Sequence, residues 1–251
     1  MPRTCLPHKL TVGSLFSGIG GFDLGMERVG FEIIWQCEID KFCQRVLKKH
    51  WPNVRIYNDV KEINKSNTIS PDVIMGGFPC QPFSVAGKRR GKEDDRYLWP
   101  EMLRVIQELK PTWVFAENVP GILHIDNGMV FESVLSSLEI EGYEVTSFII
   151  PACAVDAPHR RDRVWILAYS YEQHGYRSGF YAGEIPQQKT TEIFRVRKWP
   201  SESGICRVAN GIPNRKNRLE ALGNAVVPQL VKMIGKCILT SASSRPADAG
   251  G

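Results

Sequence analysis

A cysteine in a glycine- and proline-rich stretch is the residue of this sequence that points most directly to chemistry. Cys80 lies in the segment GGFPCQPFS, from Gly76 to Ser84. The apolar run before the segment predicts a short buried strand, and its glycines and prolines predict a rigid turn at the end of that strand. The thiolate is the nucleophilic form of cysteine, so such a site needs a positive charge or a base nearby. Cys80 is therefore our candidate nucleophile, and a buried structural cysteine is the alternative.

Acidic and basic side chains that could assist a nucleophile follow later in the chain. Glu117 ends another apolar run and precedes Asn118. Because burial raises carboxyl pKa values, a glutamate here could stay protonated and donate to a ring nitrogen, or it could simply cap a helix or form a salt bridge. Arg161 and Arg163 in the segment PHRRDR alternate onto one face of an expected strand. The pair could clamp a phosphate or an exocyclic oxygen, or form an ordinary surface ion-pair cluster.

A glycine-rich segment and two acids predict a nucleoside pocket. The segment FSGIGG, residues 16–21, lets the backbone approach a ligand at the start of a helix, but it lacks the features of a phosphate-cradling loop. Glu38 ends the next strand, 20 residues after Gly18, where an acid in such folds accepts hydrogen bonds from ribose hydroxyls. Asp59 ends the third strand and could accept one from an adenine amino group. Together these residues favour an adenosine ligand without phosphates, although each acid could be a solvated strand end.

Strand-like and helix-like stretches alternate along the chain. This pattern predicts an α/β fold with a doubly wound, mostly parallel sheet, which binds ligands at the carboxyl ends of its strands. Asp40 is a plausible N-cap of the second helix, and the last two strands should form an antiparallel hairpin at the sheet edge. The predicted strands are 10–16, 31–37, 54–57, 73–75, 113–116, 145–150 and 164–169, and the predicted helices are 22–29, 40–51, 97–109, 130–139 and 229–239.

The composition is that of a soluble enzyme with one main domain. The chain has 251 residues, of which 43% are hydrophobic and 24% charged. Its seven cysteines include no CxxC pair, which argues against a disulfide framework and a zinc site and favours a reducing cytoplasm. No metal is expected. The sequence shows neither an apolar signal segment nor a run long enough to span a membrane.

The net charge of +5 lies in one part of the chain. Residues 151–220 hold 12 Lys/Arg against 7 Asp/Glu and so carry the whole excess. A polyanion would meet the protein there, unless this segment is merely a solvated basic surface.

Taken together, these segments resemble the DNA cytosine-5 methyltransferases in order and approximate spacing. The likeness extends from about residue 10 to residue 231, and the combination of Pro-Cys-Gln with Glu-Asn-Val is its most specific part. The segments that carry it are FSGIGG, Glu38, Asn58-Asp59-Val60, GGFPCQPFS, Glu117-Asn118-Val119, HRRDR and LGNAVVP (residues 222–228).

The resemblance implies a Rossmann-like methyltransferase domain that uses S-adenosylmethionine and acts on double-stranded DNA. By that likeness, Cys80 attacks carbon six of a flipped-out cytosine while Glu117 protonates ring nitrogen three. Carbon five then takes the methyl group and loses its proton as the cysteine leaves. Arg161 and Arg163 would orient the substrate and the cysteine loop, and Asn118 would support the glutamate. The implied cofactor-binding residues are Phe16, Ser17, Gly18, Ile19, Gly20, Gly21, Glu38, Ile39, Asp59, Val60, Gly77, Pro79, Asn224, Ala225 and Val226.

The likeness also implies DNA contacts and a division of the chain. Gln81 and Ser84 match positions that lie against DNA, and the charged segment after Lys88 could be a mobile lid over the base. His159 stands where the family usually has glutamine, and the recognition region is short. Its candidate DNA contacts are Tyr176, Arg177, Arg195, Arg197 and Lys198. The expected parts are a catalytic domain (1–168), a target recognition region (169–217), a returning C-terminal helix (218–240) and a disordered tail (241–251).

Three other functions stay open at this point. The chain could belong to the tRNA-acting branch of the same family, although the cysteine-phenylalanine-threonine stretch of that branch is absent. It could be an inactive relative that only binds DNA, against which the complete set of catalytic residues argues. It could also be a Rossmann-like enzyme for a small molecule, which the basic segment disfavours. A monomer is the default, and a cognate restriction endonuclease is a further expected partner.

Overall fold

One sheet with helices on its faces forms the described part of the protein. The computed structural model describes residues 9–80, 97–170 and 215–243. The strands are β1 (Thr11–Leu15), β2 (Glu32–Cys37), β3 (Arg55–Tyr57), β4 (Val73–Gly77), β5 (Trp113–Asn118), β6 (Tyr143–Pro151) and β7 (Asp162–Ser170). The helices are α1 (Gly21–Glu27), α2 (Lys41–His50), α3 (Trp99–Leu109), α4 (Met129–Ile140), α5 (Arg215–Asn224) and α6 (Pro228–Ser243).

The strand order explains why the candidate residues meet. The order is β3–β2–β1–β4–β5–β7–β6. Strands β1 to β5 are parallel, so their carboxyl ends share one edge of the sheet, whereas β7 runs antiparallel between β5 and β6. The predicted doubly wound, mostly parallel sheet is confirmed, as is the antiparallel pairing of the last two strands, with β6 at the edge.

Alternation along the strands separates two apolar layers. In β4, Val73 and Met75 pack on one side of the sheet with α1 and α6, and Ile74 packs on the other side with α3 and α4. In β7, Trp165 belongs to the first layer and Ile166 to the second, as the period of two in a strand requires. Both faces are therefore buried, which explains the nearly continuous apolar runs of these strands.

The C-terminal helix α6 packs closely on α1. A Cβ atom added at Gly25 would lie 2.5 Å from Val231 Cβ, and one added at Gly235 would lie 2.8 Å from Met26 Sδ. Contrary to the sequence expectation, the stretch Lys216–Ala242 has the length and hydropathy of a membrane span, a property that core helices share. Here it is broken at residues 225–227, and one side of α6 is buried in the core.

The structure confirms the predicted cap of α2, whereas the last helix ends later than predicted. Asp40 caps α2, because its Oδ1 accepts a hydrogen bond of 2.8 Å from the backbone nitrogen of Cys43, as predicted. The tail was expected to begin at residue 241, but α6 continues to Ser243. Beyond Ile238, the last buried side chain of α6, the Thr240 hydroxyl still donates a bond of 2.9 Å to the oxygen of Lys236 within the helix. The expected recognition region falls almost wholly outside the described residues.

Candidate functional site

A cavity of about 640 Å³ opens at the carboxyl ends of β1 to β5 and is closed on one side by α5 and the two residues that follow it, Ala225 and Val226. Its size is that of a pocket for a nucleoside-sized ligand. Most of the expected cofactor-binding residues line it. They are Phe16, Ser17, Gly18, Gly21, Glu38, Ile39, Asp59, Val60, Gly77, Pro79, Asn224, Ala225 and Val226.

Two residues of the glycine segment do not line the cavity. Gly20 has a φ of +85°, and a Cβ atom there would lie 2.4 Å from the ring of Trp51. Gly20 thus faces α2, where its lack of a side chain admits that ring. Ile19 precedes it in the same turn and is also outside the lining. Both residues shape the loop, while Gly18 and Gly21 border the space.

Glu38 is fixed by two backbone donors at the rim of the cavity. Its Oε2 accepts a bond of 2.7 Å from the nitrogen of Gly18, and its Oε1 accepts one of 2.8 Å from the nitrogen of Asp40. Burial raises the pKa of Glu38 above its usual range, and these two bonds limit the rise. The carboxylate is therefore preorganised to accept further bonds from a ligand.

Glu117 is a buried acid that is paired and still hard to ionise. Glu117 is the penultimate residue of β5 and is 7% exposed, and its Oε1 lies 2.7 Å from Nε of Arg163. Burial raises the pKa of Glu117 to about 7, although the charges of Arg163 and Arg161 oppose the rise. A Cβ atom at Gly77 would lie 3.0 Å from Glu117 Oε2, so this glycine leaves room for the carboxyl group.

Cys80 lies on the same cavity, three residues after the end of β4. It is 8% exposed, and its backbone forms an isolated antiparallel bridge with Tyr97. The nitrogen of Leu98 also donates to the oxygen of Pro79, 3.3 Å away. Burial raises the pKa of the Cys80 thiol to about 11, so the sulfur is protonated in this arrangement.

Asn118 ties the cysteine loop to β5. Its Nδ2 donates a bond of 3.0 Å to the oxygen of Phe78, and its Oδ1 accepts one of 2.9 Å from the nitrogen of Val119. The amide of Asn118 thus holds the backbone two residues before Cys80. The support of Glu117 by Asn118 stays a prediction.

Arg161 binds the C-terminal segment. Its Nη2 donates to the oxygens of Gly223 and Ala225, at 2.6 and 2.8 Å. Its φ is +36°, and it precedes the first residue of β7, so the expected alternation of Arg161 and Arg163 on one strand face is wrong. The left-handed turn directs the two guanidinium groups to different partners, one to the α5–α6 junction and one to Glu117.

Sequence reasoning missed several residues that line the cavity. Phe22, Cys37, Cys43 and Phe78 are core residues next to predicted site positions. Asp40 and Asn58 are neighbours of predicted acids, a signal that could have identified them. Asn217, Glu220 and Ala221 come from α5. The expected C-terminal helix, residues 218–240, included Glu220 and Ala221 but not as site residues, because charged residues such as those of α5 are typical of an exposed segment. The remaining ones are Leu98 and Val119.

The charged side chains that line the described part of the cavity are all acidic. Among the described lining residues, the charged side chains are Glu38, Asp40, Asp59, Glu117 and Glu220, with no lysine, arginine or histidine. A site of this kind repels phosphates and suits a ligand with positive charge. This agrees with the expectation of an adenosine ligand without phosphates.

Several expected site residues fall outside the described part of the chain. They are Gln81, Ser84, Tyr176, Arg177, Arg195, Arg197 and Lys198, together with the expected lid after Lys88. Within residues 9–80, 97–170 and 215–243, no group of three or more His, Cys, Asp or Glu is placed to hold a metal ion.

Known proteins resemble this chain in sequence and in architecture. Type II methyltransferase M.Bsp6I from Bacillus sp. is 36% identical over 188 residues, which are 73% of this chain and 59% of that protein. Type II methyltransferase M.HhaI from Haemophilus parahaemolyticus is 33% identical over 156 residues, 62% of this chain and 47% of that protein. A solved E. coli protein, described as a candidate DNA modification methyltransferase encoded within a prophage, has a TM-score of 0.57 and 28% identity. That likeness covers 66% of this chain and 48% of the other.

These relatives are longer proteins, and this chain spans about half the length of the curated ones that it matches. The sequence profile of the C-5 cytosine-specific DNA methylases matches residues 10–219, which include Glu38, Cys80, Glu117 and Arg163. The chain therefore belongs to the C-5 cytosine-specific DNA methylase family.

Proposed function

We propose that the protein is a DNA cytosine-5 methyltransferase that uses S-adenosylmethionine and a covalent cysteine adduct. The observation that carries the proposal is the single cavity lined by Cys80, by the buried acid Glu117 and by the ribose-binding candidate Glu38. A nucleophile, a general acid and a nucleoside site are thus within reach of one another, which the transfer of a methyl group to a ring carbon requires.

The cavity fits the proposed cofactor. S-adenosylmethionine supplies a methyl group on a positively charged sulfur, and the carboxylates of the lining favour such a charge. Glu38 would accept bonds from the ribose hydroxyls, and Asp59 would accept one from the adenine amino group. Gly18 has a φ of +54° and no heavy atom within 4 Å of its Cβ position, so the backbone there can contact the ligand. Asn224, Ala225 and Val226 would close the site.

The residues of this chain would then act on cytosine as follows. The Cys80 thiol loses its proton, and its sulfur bonds to carbon six as Glu117 gives its proton to ring nitrogen three. Carbon five is now electron-rich and takes the methyl group. A base removes the proton of carbon five, the carbon–sulfur bond breaks to restore the aromatic ring and the thiolate, and ring nitrogen three returns its proton to the Glu117 carboxylate.

Arg163 has two tasks in this account. It orients the Glu117 carboxyl group through the 2.7 Å contact, and its positive charge stabilises the carboxylate that remains after Glu117 has given up its proton. Because the pKa of Glu117 is about 7, a large fraction of the acid is protonated at neutral pH. This fraction makes Glu117 a competent donor under physiological conditions.

Double-stranded DNA is the proposed substrate, and residues 169–217 are the proposed recognition region. The excess of Lys and Arg in residues 151–220 supports contact with a polyanion. Flipping the cytosine into the cavity costs a few kcal/mol, which contacts to the phosphates would offset. The names of the matched Type II methyltransferases support a role in restriction-modification. We further propose a cognate endonuclease as a partner and a cytoplasmic location.

Transfer of labelled methyl groups tests this function. The protein is incubated with labelled S-adenosylmethionine and either duplex DNA or tRNA, alongside its Cys80→Ser and Cys153→Ser variants. Cys153 is an exposed cysteine outside the cavity and serves as the matched control. We expect label in DNA with the original protein and Cys153→Ser and none with Cys80→Ser. Label in tRNA alone, or equal transfer by the Cys80→Ser variant, would overturn the proposal.

A further inference from the structure

A fully buried carboxylate lies beneath the cofactor site and has no role in the chemistry described so far. Asp23 is in the first turn of α1 and has 0% relative exposure. Its Oδ2 accepts a bond of 3.1 Å from the Ser14 hydroxyl, and its Oδ1 accepts one of 2.8 Å from Nε2 of Gln36. Ser14 and Gln36 face each other across β1 and β2, so Asp23 joins both strands to α1.

The bonds continue from Asp23 to the two loops that border the cavity. The Ser17 hydroxyl lies 3.0 Å from the Ser14 hydroxyl, and the Ser17 nitrogen donates to the oxygen of Cys37 at 3.0 Å. Cys37 precedes Glu38, whose carboxylate accepts from the nitrogen of Gly18. Hydrogen bonds therefore run from Asp23 through Ser14 to Ser17 and on to Cys37, and the next residues along the chain, Gly18 and Glu38, are bonded to each other.

Asp23 is held as a charged acceptor. Burial raises its pKa to about 6, and the bonds from Gln36 and Ser14 limit the rise, so the group is ionised at neutral pH. Gln36 turns its Nε2 toward the carboxylate and leaves its own Oε1 buried without a partner. An unpaired buried acceptor costs free energy, and a buried charge costs more, so an apolar core would be the more stable solution for packing alone.

We propose that Asp23 is a positioning residue for the cofactor, which through Ser14 and Ser17 holds the glycine loop and Glu38 in the geometry that binds the nucleoside. The inference rests on the function proposed above. It predicts that loss of the Asp23 acceptor weakens cofactor binding while the rate at saturating cofactor changes little.

The test compares Asp23→Asn with Asp72→Asn. Asp72 is a matched control, because its carboxylate also accepts two bonds from a β1 residue, Thr11, at 2.7 and 2.8 Å. Asp72 precedes β4 and therefore lies at the end of β1 that is opposite to the cavity. Calorimetry with S-adenosylhomocysteine measures affinity without turnover, and thermal unfolding measures stability. We expect Asp23→Asn to lower affinity about tenfold, with kcat within about twofold, and Asp72→Asn to lower stability only.

A double-mutant cycle distinguishes positioning from a general loss of stability. Ser17→Ala should also weaken binding, and combining it with Asp23→Asn should cost less than the sum of the two effects, because both act through Ser14. If Asp23→Asn does not fold, Ser14→Ala takes its place and should lower affinity about threefold. The proposal is contradicted if the folded variant binds S-adenosylhomocysteine within twofold of the original protein. It is also contradicted if the losses of binding free energy from Asp23→Asn and Ser17→Ala simply add. A lack of binding by the original protein would instead contradict the proposed function.

Discussion

Nε of Arg163 lies 2.7 Å from Oε1 of Glu117, and the pKa of Glu117 is nevertheless raised to about 7. Desolvation at the end of a fully buried strand outweighs the attraction of the guanidinium group. The pairing thus orients the acid without forcing it to ionise. This balance is what a general acid at neutral pH requires.

The first prediction concerns the pH dependence of adduct formation. The protonated fraction of Glu117 falls as pH rises through about 7, so the rate of the original protein should lose its acid-catalysed part above that pH. Glu117→Gln cannot transfer a proton, and we expect it to be about a hundredfold slower at pH 6. The rate of the Glu117→Gln variant should increase with pH over the whole range, because the Cys80 thiol ionises as pH rises. Parallel pH profiles for the two proteins would exclude Glu117 as the acid.

Replacement of Glu117 should also change how the stability of the protein depends on pH. The pKa of Glu117 is higher in the folded protein than its ordinary value of 4.5, so the folded state binds the proton more tightly. The contribution of this group to stability therefore falls as pH rises from about 4.5 to about 7. Urea unfolding at pH 5 and pH 8 should show a smaller decline for Glu117→Gln than for the original protein. An equal decline in both would contradict the raised pKa.

Arg161 and Arg160 offer a comparison between adjacent arginines. Arg161 bonds the oxygens of Gly223 and Ala225, whereas the side chain of Arg160 is 81% exposed and pairs only with Asp162 among described residues. Arg161→Ala should release the segment that closes the cavity and lower affinity for S-adenosylhomocysteine about tenfold. Arg160→Ala should stay within about twofold, because exposed ion pairs contribute little. Equal effects in calorimetry would show that Arg161 does not hold that segment.

Asn118 should stabilise the cysteine loop. Asn118→Leu leaves the buried oxygen of Phe78 without its partner, and we expect a loss of about 1–3 kcal/mol in the free energy of unfolding. The control is Asn67→Ala, which removes exposed side-chain bonds to the oxygen of Glu62, the nitrogen of Asn64 and the Thr68 hydroxyl and should cost less than about 1 kcal/mol, because water replaces these partners. Urea unfolding measures both. A loss for Asn118→Leu no larger than that of the control would show that this bond does not stabilise the loop.

Packing of α6 on α1 depends on Gly25. A Cβ atom there would lie 2.5 Å from Val231 Cβ and 2.8 Å from the oxygen of Pro228, so Gly25→Ala should lower stability by about 1–2 kcal/mol despite the better helix propensity of alanine. Gly223→Ala in α5 meets no heavy atom within 4 Å and should be neutral or stabilising. The midpoint temperature of thermal unfolding should therefore fall for Gly25→Ala and stay unchanged or rise for Gly223→Ala. A stabilised Gly25→Ala protein would contradict the close packing.

Local patterns were enough to predict the sheet and much of the site. Glu38 and Glu117 follow apolar runs, and the carboxyl ends of parallel strands share one edge, so their meeting at the cavity follows from strand direction alone. The cysteine loop was recognisable for a similar reason, because glycine and proline exclude regular structure around Cys80.

The remaining features depend on tertiary contacts that no pattern encodes. An aspartate in the first turn of a helix ordinarily faces water and interacts with the helix dipole, so nothing in the sequence indicated that Asp23 is buried. The side chain of Arg161 reaches α5 only because of a left-handed turn before β7. The direction of the Asn118 amide, toward Phe78, is likewise fixed by the pairing of β4 with β5.

The most direct test of the account is capture of the covalent adduct. Duplex DNA containing 5-fluorocytosine is incubated with the protein and S-adenosylmethionine, then resolved by denaturing electrophoresis. Fluorine cannot leave carbon five as a proton does, so we predict a protein–DNA band that requires the cofactor, persists in Cys153→Ser and is absent in Cys80→Ser. A cofactor-dependent band in Cys80→Ser, or no band while ordinary DNA is methylated, would contradict the assignment of Cys80 as the nucleophile.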